Sequence, residues 1–342
     1  MSEFIYLDDA ADPILLDNSV RPENFSEFIG QDDVISNLKI YSEAAQMRAE
    51  SLDHVLFSGP PGLGKTTLAR IVSSLQKGNF YQIAAPNLKR TGDLVKLLVN
   101  LEKMDTLFID EIHRLPAPVE EILYSAMEDG HIDIAISEGM SGTPVKINLP
   151  PFTLVGATTR PGSLTAPLRD RFGIQLRLNY YTDEEIESIL KRAAGKWGIQ
   201  VSDEAFANIS ARCRKTPRVA LKLLKRIWDF ALVRNGNKNA LLITEKDVLY
   251  SFENMKIDQL GLTQLDNMFL RVVAVNYKGG PVGLKPLTAL LSEDIITLEE
   301  FVEPYLVQLD LIQRTSRGRI ITEKGFNHIG VDSGRGMQNG LF

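Results

Sequence analysis

The residues best suited to chemistry lie in a glycine-rich stretch from Gly59 to Thr67, with the sequence GPPGLGKTT. The stretch matches the phosphate-binding loop pattern, in which glycines let backbone N–H groups wrap around phosphates. In that pattern Lys65 reaches the β- and γ-phosphates of a nucleotide, and the Thr66 hydroxyl binds Mg²⁺. An apolar run ends just before the loop, and a helical pattern opens at Thr67. This strand–loop–helix setting favours a nucleotide site over a chance match, whose probability along the whole chain is about 1%.

A second stretch, Leu107 to Glu111, is a strand candidate that ends in two adjacent carboxylates. Phosphoryl transfer needs such a pair, because one carboxylate supports the Mg²⁺ shell while the other orients the attacking water and accepts its proton. We assign the first role to Asp110 and the second to Glu111. The alternative is an acidic strand end without catalytic function, and the phosphate loop upstream argues against it.

Further side chains are candidates for the same site. Thr159 follows the apolar run that starts at Phe152, where a hydroxyl can sense the γ-phosphate beside Glu111. Arg169 and Arg171 lie in the stretch PLRDRF. Either could stabilise transition-state charge in a neighbouring subunit, although a surface salt bridge is the alternative role. Arg218 follows Thr-Pro at a predicted helix start, where it can report bound nucleotide to a helical domain.

These residues need a scaffold that brings them together. Between residues 20 and 181, short apolar runs alternate with helical patterns, which predicts an α/β fold with a parallel sheet. The strand candidates are His54 to Ser58, Thr106 to Asp110 and Thr153 to Ala157. From Thr182 a capping-box pattern and helical apolar spacing predict a small helical domain over residues 182–255.

Composition limits the classes of function. The 342 residues have 44% hydrophobic content, enough for more than one core. A net charge of −6 excludes a diffusely basic surface, so any contact with DNA must be local. The single cysteine, Cys213, excludes an internal disulfide, and the four histidines lack the paired spacing of zinc ligands. Without a leader pattern or a run of about 18 apolar residues, we expect a soluble cytoplasmic protein.

The C-terminal third of the chain changes charge abruptly. Six acids and no base lie between Glu293 and Asp310, and then Arg314, Arg317 and Arg319 follow within six residues. On the wing of a winged helix, these guanidinium groups would contact DNA phosphates rather than read bases. A solvated basic turn without a ligand is the alternative.

Residues 131–149 alternate apolar and polar side chains around a Gly-containing turn, which predicts a β-hairpin. The hairpin is inserted between the helix after Glu111 and the strand before Thr159, so its far end should project from the core. Val145 and Ile147 then form either an exposed docking patch or a pair buried against their own domain.

Taken together and in this order, the motifs resemble those of the AAA+ ATPases. Their exact residues resemble the RuvB family of Holliday-junction branch-migration motors. The matching stretches are residues 59–70, 107–115, 120–129, 149–160, 167–174, 279–283, 303–306 and 314–319. The resemblance implies ATP and Mg²⁺ as cofactors and a homo-hexameric ring on duplex DNA and Holliday junctions. It also implies RuvA as the junction-binding partner, docked at Val145 and Ile147, and RuvC in the resolving complex.

Residue by residue, the resemblance makes Thr159 the first sensor, Arg171 the arginine finger that acts in trans, and Arg218 the second sensor. It assigns Mg²⁺ to Thr66 and Asp110. Around the nucleotide, including its adenine side, it places Val20, Arg21, Gly62, Gly64, Lys65, Thr66, Thr67, Tyr181 and Arg218. One departure is Lys215, which stands where the family usually has glycine before Thr-Pro-Arg. If that turn needs a positive φ, lysine adds strain.

The implied organisation is a flexible arm, an ATPase core with a projecting hairpin, a helical lid, a winged helix and a disordered tail. Their expected ranges are residues 1–19, 20–181, 182–255, 256–331 and 332–342. Two rival functions remain at this point. A clamp loader would share the core but end in a helical collar, and a noncatalytic nucleotide-gated DNA-binding protein would not need Glu111 together with an arginine finger.

Overall fold

The computed structural model of the chain describes residues 18–135, 144–236 and 242–332. Most of the predicted arm and tail therefore lies outside the described residues. The chain divides into two compact units, the first ending at Ile189 and the second beginning at Leu190, and each is described by itself. Among the residues that the structure describes, no helix is long and apolar enough to cross a membrane.

The first unit contains a parallel sheet whose strands come from distant parts of the chain. They are β1 (Val55–Ser58), β2 (Phe80–Ala84), β3 (Thr106–Asp110), β6 (Thr153–Thr158) and β7 (Ile174–Arg177). Their order is β2-β3-β6-β1-β7, and each pairing is parallel. The three central strands are almost wholly buried, as expected of a sheet covered on both faces. The predicted α/β fold with a parallel sheet is confirmed.

Helices join these strands and pack against them. Those of the first unit are α1 (Asp32–Arg48), α2 (Lys65–Gln76), α3 (Thr91–Leu98), α4 (Ala117–Glu128), α5 (Ala166–Asp170) and α6 (Asp183–Trp197), the last of which crosses into the second unit. Leu94 of α3 and Val119 and Leu123 of α4 join Leu107 and Leu154 of the sheet in one buried cluster. Burial of this apolar surface fixes the sheet against its helices.

Polar contacts fix the start of the central strands. The His54 ring, just before β1, accepts a hydrogen bond at Nδ1 from the N–H of Leu154 at 2.9 Å. Burial lowers the pKa of His54 to about 4, so the ring is neutral at pH 7 and can accept that bond. The Thr153 hydroxyl donates to the Leu52 carbonyl at 2.6 Å. Both contacts align β6 with β1.

The strand order decides which loops meet. Parallel strands end at the same edge of a sheet, and β6 lies between β3 and β1. The segments that follow these strands begin with Gly59 after β1, Glu111 after β3 and Thr159 after β6. The N–H of Gly59 donates to the carbonyl of Thr158 at 3.1 Å. The sheet thus gathers three of the sequence motifs at one edge.

A β-hairpin follows α4. Its strands β4 (His131–Ala135) and β5 (Pro144–Asn148) are antiparallel, with Ile132 opposite Ile147. The N–H of Leu149 donates to the carbonyl of Gly130 at 2.8 Å and closes the base. Residues 136–143, which include the predicted turn, lie outside the described residues.

The second unit begins with a group of helices. They are α7 (Asp203–Ser210), α8 (Pro217–Asn235) and α9 (Glu245–Met255), with short parallel strands β8 (Gln200–Val201) and β9 (Leu242–Ile243). Side chains from α7, α8 and α9 make the interior, including the fully buried Ile209, Leu223 and Val248.

The turn before α8 has an unusual backbone. Arg214 and Lys215 both have a φ of 55°, the left-handed conformation that favours glycine. A residue with a side chain costs about 1–2 kcal/mol more there. The buried Arg214 guanidinium offsets part of this cost, because it donates to Asp266 Oδ2 at 2.5 Å and to the Phe301 carbonyl at 3.1 Å. These bonds fasten the turn to the helices that follow.

The end of the second unit is a winged helix, as the sequence predicted. Its elements are α10 (Gln264–Arg271), α11 (Leu284–Leu291), α12 (Ile295–Thr297), α13 (Glu303–Gln308), β10 (Ile312–Thr315), β11 (Gly318–Ile321) and α14 (Glu323–Ile329). π-Helical turns cover Val272–Asn276 and Leu298–Val302. Phe269, Leu287 and Leu306 are fully buried in its core. Strands β10 and β11 form the antiparallel wing.

Candidate functional site

The loop between β1 and α2 has the backbone that phosphate binding requires. Gly59, Gly62 and Gly64 have φ of 142°, 78° and 101°, a region that residues with side chains rarely adopt. The loop leads into the N-terminus of α2, where first-turn N–H groups and the helix dipole favour an anion. The buried Lys65 ammonium donates to the carbonyls of Gly59 and Pro60 at 2.8 Å each. Its positive charge therefore lies over the loop.

Oxygen-bearing side chains follow the loop and end strand β3. Thr66 and Thr67 occupy the first turn of α2 and are half-buried, and so is Asp110 at the end of β3. Hydroxyl and carboxylate oxygens suit Mg²⁺, which proteins usually bind together with substrate phosphates and water. Within the described ranges, no group of three or more His, Cys, Asp or Glu side chains could hold a metal ion. The donor set thus fits Mg²⁺ carried by a nucleotide better than a site made of protein ligands alone.

Glu111 is held by its neighbours at the sheet edge. The Thr159 hydroxyl donates to Glu111 Oε2 at 3.0 Å, and His113 Nδ1 lies 3.2 Å from the same oxygen. His113 Nδ1 is also 3.0 Å from the Thr158 hydroxyl. The backbone of Glu111 is left-handed, with a φ of 50°, a conformation that proteins often retain at functional sites. The structure therefore brings the predicted Glu111 and Thr159 into direct contact.

His113 is a site residue that the sequence reasoning missed. From the sequence alone, the histidines are candidates only for zinc binding. No spacing rule connects His113 with Thr158, 45 residues further along. The available signal was its position two residues after Glu111, at the end of a predicted strand. A ring nitrogen there can orient the carboxylate.

On the predicted adenine side, Val20 and Tyr181 are buried and Arg21 is half-buried. The Tyr181 hydroxyl donates to the Leu63 carbonyl of the phosphate loop at 3.0 Å. Burial raises the pKa of Tyr181, so the phenol stays protonated and keeps this bond. Burial, and then the charge of Arg70, lower the pKa of Arg21. A surface cleft here is lined by Arg21, Pro22, Glu23, Arg70, Ile71 and Ser74.

The two remaining arginines of the predicted site lie in different units. Arg171 follows α5 in the first unit and is ion-paired with Glu128 of α4, with Nη2 2.6 Å from Oε2. Arg218 is the second residue of α8 in the second unit and is half-buried. The strained turn at Lys215 lies three residues before it.

The three arginines of the wing, which the sequence does not distinguish, have different partners in the structure. Glu303, fully buried, accepts hydrogen bonds from Arg314 Nε at 2.6 Å and from Arg319 Nε at 2.9 Å. Arg319 Nη2 also donates to Glu303 Oε2 at 3.0 Å. Arg317 lies at the exposed turn, and within the described residues it forms no ion pair. The sequence did not reveal Glu303 as the partner, since nothing distinguishes it from the other five acids between Glu293 and Asp310.

The two hairpin residues predicted to dock a partner, Val145 and Ile147, differ in their exposure. Val145 is 40% exposed, whereas Ile147 is half-buried and packs against the core of the first unit. Ile147 lies opposite Ile132, which is buried. Of these two residues, Val145 therefore presents the apolar surface that a docking partner could cover.

The chain matches three family models along almost its whole length. The P-loop domain of the Holliday junction DNA helicase RuvB matches residues 20–178, the RuvB AAA lid domain residues 181–258 and the RuvB C-terminal winged helix domain residues 259–330. A Holliday junction branch migration complex subunit RuvB from Paramagnetospirillum magneticum is 49% identical over 314 residues, which cover 92% of this chain and 89% of the relative. This chain belongs to the RuvB family.

Solved RuvB structures share its fold. The Thermotoga maritima RuvB Holliday junction branch migration motor has a TM-score of 0.82 and 45% identity, covering 92% of this chain and 99% of that one. A mutant of the same Thermotoga maritima RuvB has a TM-score of 0.83 and 46% identity with the same coverage. The AAA+ ATPase resemblance noted in the sequence is confirmed.

In this RuvB-family chain, we predict that Glu111→Gln binds ATP nearly as well as the wild type but hydrolyses it about 10²-fold or more slowly. The amide keeps the size of the side chain and can still accept from Thr159, but it cannot take a proton from water. Nucleotide titration and single-turnover hydrolysis measure the two effects separately. Lys65→Ala is the contrasting variant, because it should weaken nucleotide binding itself. Wild-type turnover by Glu111→Gln would remove Glu111 from the site.

For the wing, we predict different effects of two single substitutions. Arg317→Ala should flatten the plot of log DNA affinity against log salt by about one unit without changing the melting temperature. Arg319→Ala should also destabilise the fold, by about 1–3 kcal/mol, because it removes two hydrogen bonds from the buried Glu303. Salt titrations with unrelated duplexes and thermal melts provide the comparison. An unchanged salt slope for Arg317→Ala would show that the turn does not grip DNA.

Proposed function

We propose that this chain is an ATP-dependent DNA motor that forms a homo-hexameric ring on duplex DNA. Together with RuvA, it drives branch migration of Holliday junctions in recombination and repair in the cytoplasm. The observation that carries the proposal is the sheet edge that gathers Lys65, Asp110, Glu111 and Thr159, in a chain whose second unit ends in a winged helix. The relative from Paramagnetospirillum magneticum, named as a branch migration complex subunit, supports the choice of DNA substrate.

In the proposed hydrolysis, the loop binds the nucleotide phosphates through its backbone and Lys65. Thr66 and Asp110 would hold Mg²⁺, Asp110 in part through water, and the ion would supply positive charge to the phosphates. Glu111, oriented by Thr159 and His113, aligns the attacking water and takes its proton. The residues proposed to surround the nucleotide remain Val20, Arg21, Gly62, Gly64, Thr67 and Tyr181.

Two arginines are proposed to connect this chemistry with movement. Arg171 acts in trans, supplying charge to the γ-phosphate bound by the neighbouring subunit. Arg218, at the start of α8, reports the nucleotide to the lid. We propose an ATPase core over residues 20–181, a lid over 182–255 and a winged helix over 256–331.

The DNA grip is proposed to be the wing. Arg317 lies at the exposed turn, and the pair formed by Arg314 and Arg319 brings two positive charges to a single carboxylate, Glu303. The wing therefore keeps a positive charge although the chain as a whole is acidic. Guanidinium groups so placed suit phosphates at any sequence, which a motor that moves along DNA requires.

RuvA is proposed to dock on the hairpin, and the exposed Val145 is the residue that supports this. Ile147 serves the docking patch indirectly, by holding β5 on the core. RuvC is proposed as a partner in the resolving complex on the family resemblance.

The rival functions fit less well. A clamp loader ends in a helical collar, whereas this chain ends in a winged helix. A noncatalytic DNA-binding protein has no use for a glutamate held beside the phosphate loop by Thr159.

The test of the proposal is dissociation of a synthetic four-way junction with ATP, in the presence and absence of RuvA. We expect the wild type to dissociate the junction and RuvA to accelerate it, while Glu111→Gln should be inactive in both conditions. Val145→Thr should keep the ATPase rate on plain duplex DNA but lose the acceleration by RuvA, because a hydroxyl weakens an apolar contact.

Ile147→Thr is the matched control on the same strand. Because Ile147 packs against the core, this substitution should lower the melting temperature, whereas Val145→Thr should not. A wild-type protein that hydrolyses ATP but leaves the junction intact, with and without RuvA, would contradict the proposed function. Full acceleration of Val145→Thr by RuvA would move the docking surface elsewhere.

A further inference from the structure

The side chain of Arg171 is engaged within its own subunit. Its Nη2 lies 2.6 Å from Glu128 Oε2, and its Nη1 donates to the Pro167 carbonyl at 2.8 Å. The guanidinium also lies over the Tyr124 ring, 4.6 Å from its centroid. Only 27% of the Arg171 side chain is exposed. Both terminal nitrogens and one face of the guanidinium therefore have partners on the same chain.

These contacts compete with the proposed role of Arg171 in trans. A guanidinium stabilises phosphoryl transfer by donating N–H groups and positive charge to phosphate oxygens. Glu128 accepts from one terminal nitrogen and neutralises the charge, and the Pro167 carbonyl accepts from the other. In the orientation seen here, both terminal nitrogens are thus engaged on the same chain, and we call this orientation withdrawn.

The helices on either side of this ion pair are fastened together. The Tyr124 hydroxyl donates to Glu120 Oε1 at 2.6 Å, and the Thr165 hydroxyl donates to the same oxygen. Thr165 in turn caps α5, because it accepts from the N–H of Leu168 at 3.3 Å. Burial, and then the bond to Glu120, raise the pKa of Tyr124, which keeps the phenol protonated as a donor. Glu128, the last residue of α4, is therefore held where it meets Arg171.

We propose that Glu128 is a positioning residue that holds Arg171 in this withdrawn orientation, and that hydrolysis at the neighbouring site requires the ion pair to open. The inference rests on the proposed trans role of Arg171. Glu128 is 61% exposed, and exposed ion pairs are weak. The pair can therefore open readily, and its loss should change the rate by a small factor rather than by orders of magnitude.

The decisive variant is Glu128→Gln, which keeps the size of the side chain and removes its charge. In the full-length protein on duplex DNA, we expect its kcat for ATP to rise about two- to fivefold, as the loss of an exposed ion pair allows. Its KM should not change, because the pocket of the same subunit is untouched. Glu121→Gln is the matched control. It removes one charge from the exposed face of the same helix, from a side chain that forms no ion pair within the described residues, and kcat should stay at the wild-type value.

A second arm separates a trans effect from a change in fold. Glu128→Gln placed in a Lys65→Ala subunit should raise the turnover of wild-type subunits mixed with it, compared with mixing Lys65→Ala alone. Glu128→Gln combined with Arg171→Ala should be as slow as Arg171→Ala. If Glu128→Gln lowers kcat or leaves it unchanged while Arg171→Ala abolishes hydrolysis, Glu128 does not withhold the finger. If Arg171→Ala hydrolyses ATP like the wild type, the proposed trans role itself fails.

Discussion

The carboxyl ends of β1, β3 and β6 meet at one edge of a parallel sheet, and each proposed chemical role depends on that meeting. The strands are buried, so polar groups can appear only where a strand ends. Gly156, within β6, lets the side chains of Ile112 and Phe172 pack closely against this strand, because a Cβ there would lie 3.0 Å from Ile112 Cδ1 and Phe172 Cζ. The strand order that buries the apolar strands therefore also places Lys65, Glu111 and Thr159 at the same edge of the sheet.

Carboxylates hold arginines in place both in the first unit and on the wing. Glu128 holds Arg171 in the first unit, and Glu303 holds Arg314 and Arg319 in the second. Glu128 is exposed whereas Glu303 is fully buried, and the difference sets how readily each pair can open. An exposed pair suits a group that must change partners, and a buried one suits a fixed shape.

The sequence predicted what is local and periodic. The phosphate loop, the adjacent Asp110 and Glu111, and the apolar strands are patterns within short windows, and they led directly to the α/β fold. It did not predict contacts between side chains far apart along the chain, such as His113 with Thr158 or Glu128 with Arg171. Nor did the sequence single out Glu303 within the acidic stretch, because nothing local to it shows that this carboxylate will be buried with two arginines as partners.

Whether a neighbouring Arg171 completes the sheet edge can be measured directly. Lys65→Ala and Arg171→Ala proteins are each assayed for ATP hydrolysis on duplex DNA, alone and mixed. We predict that each is nearly inactive alone and that mixing restores activity, because Arg171→Ala supplies an intact pocket and Lys65→Ala an intact finger. Absence of recovery, in rings shown by mass measurement to contain both proteins, would contradict it.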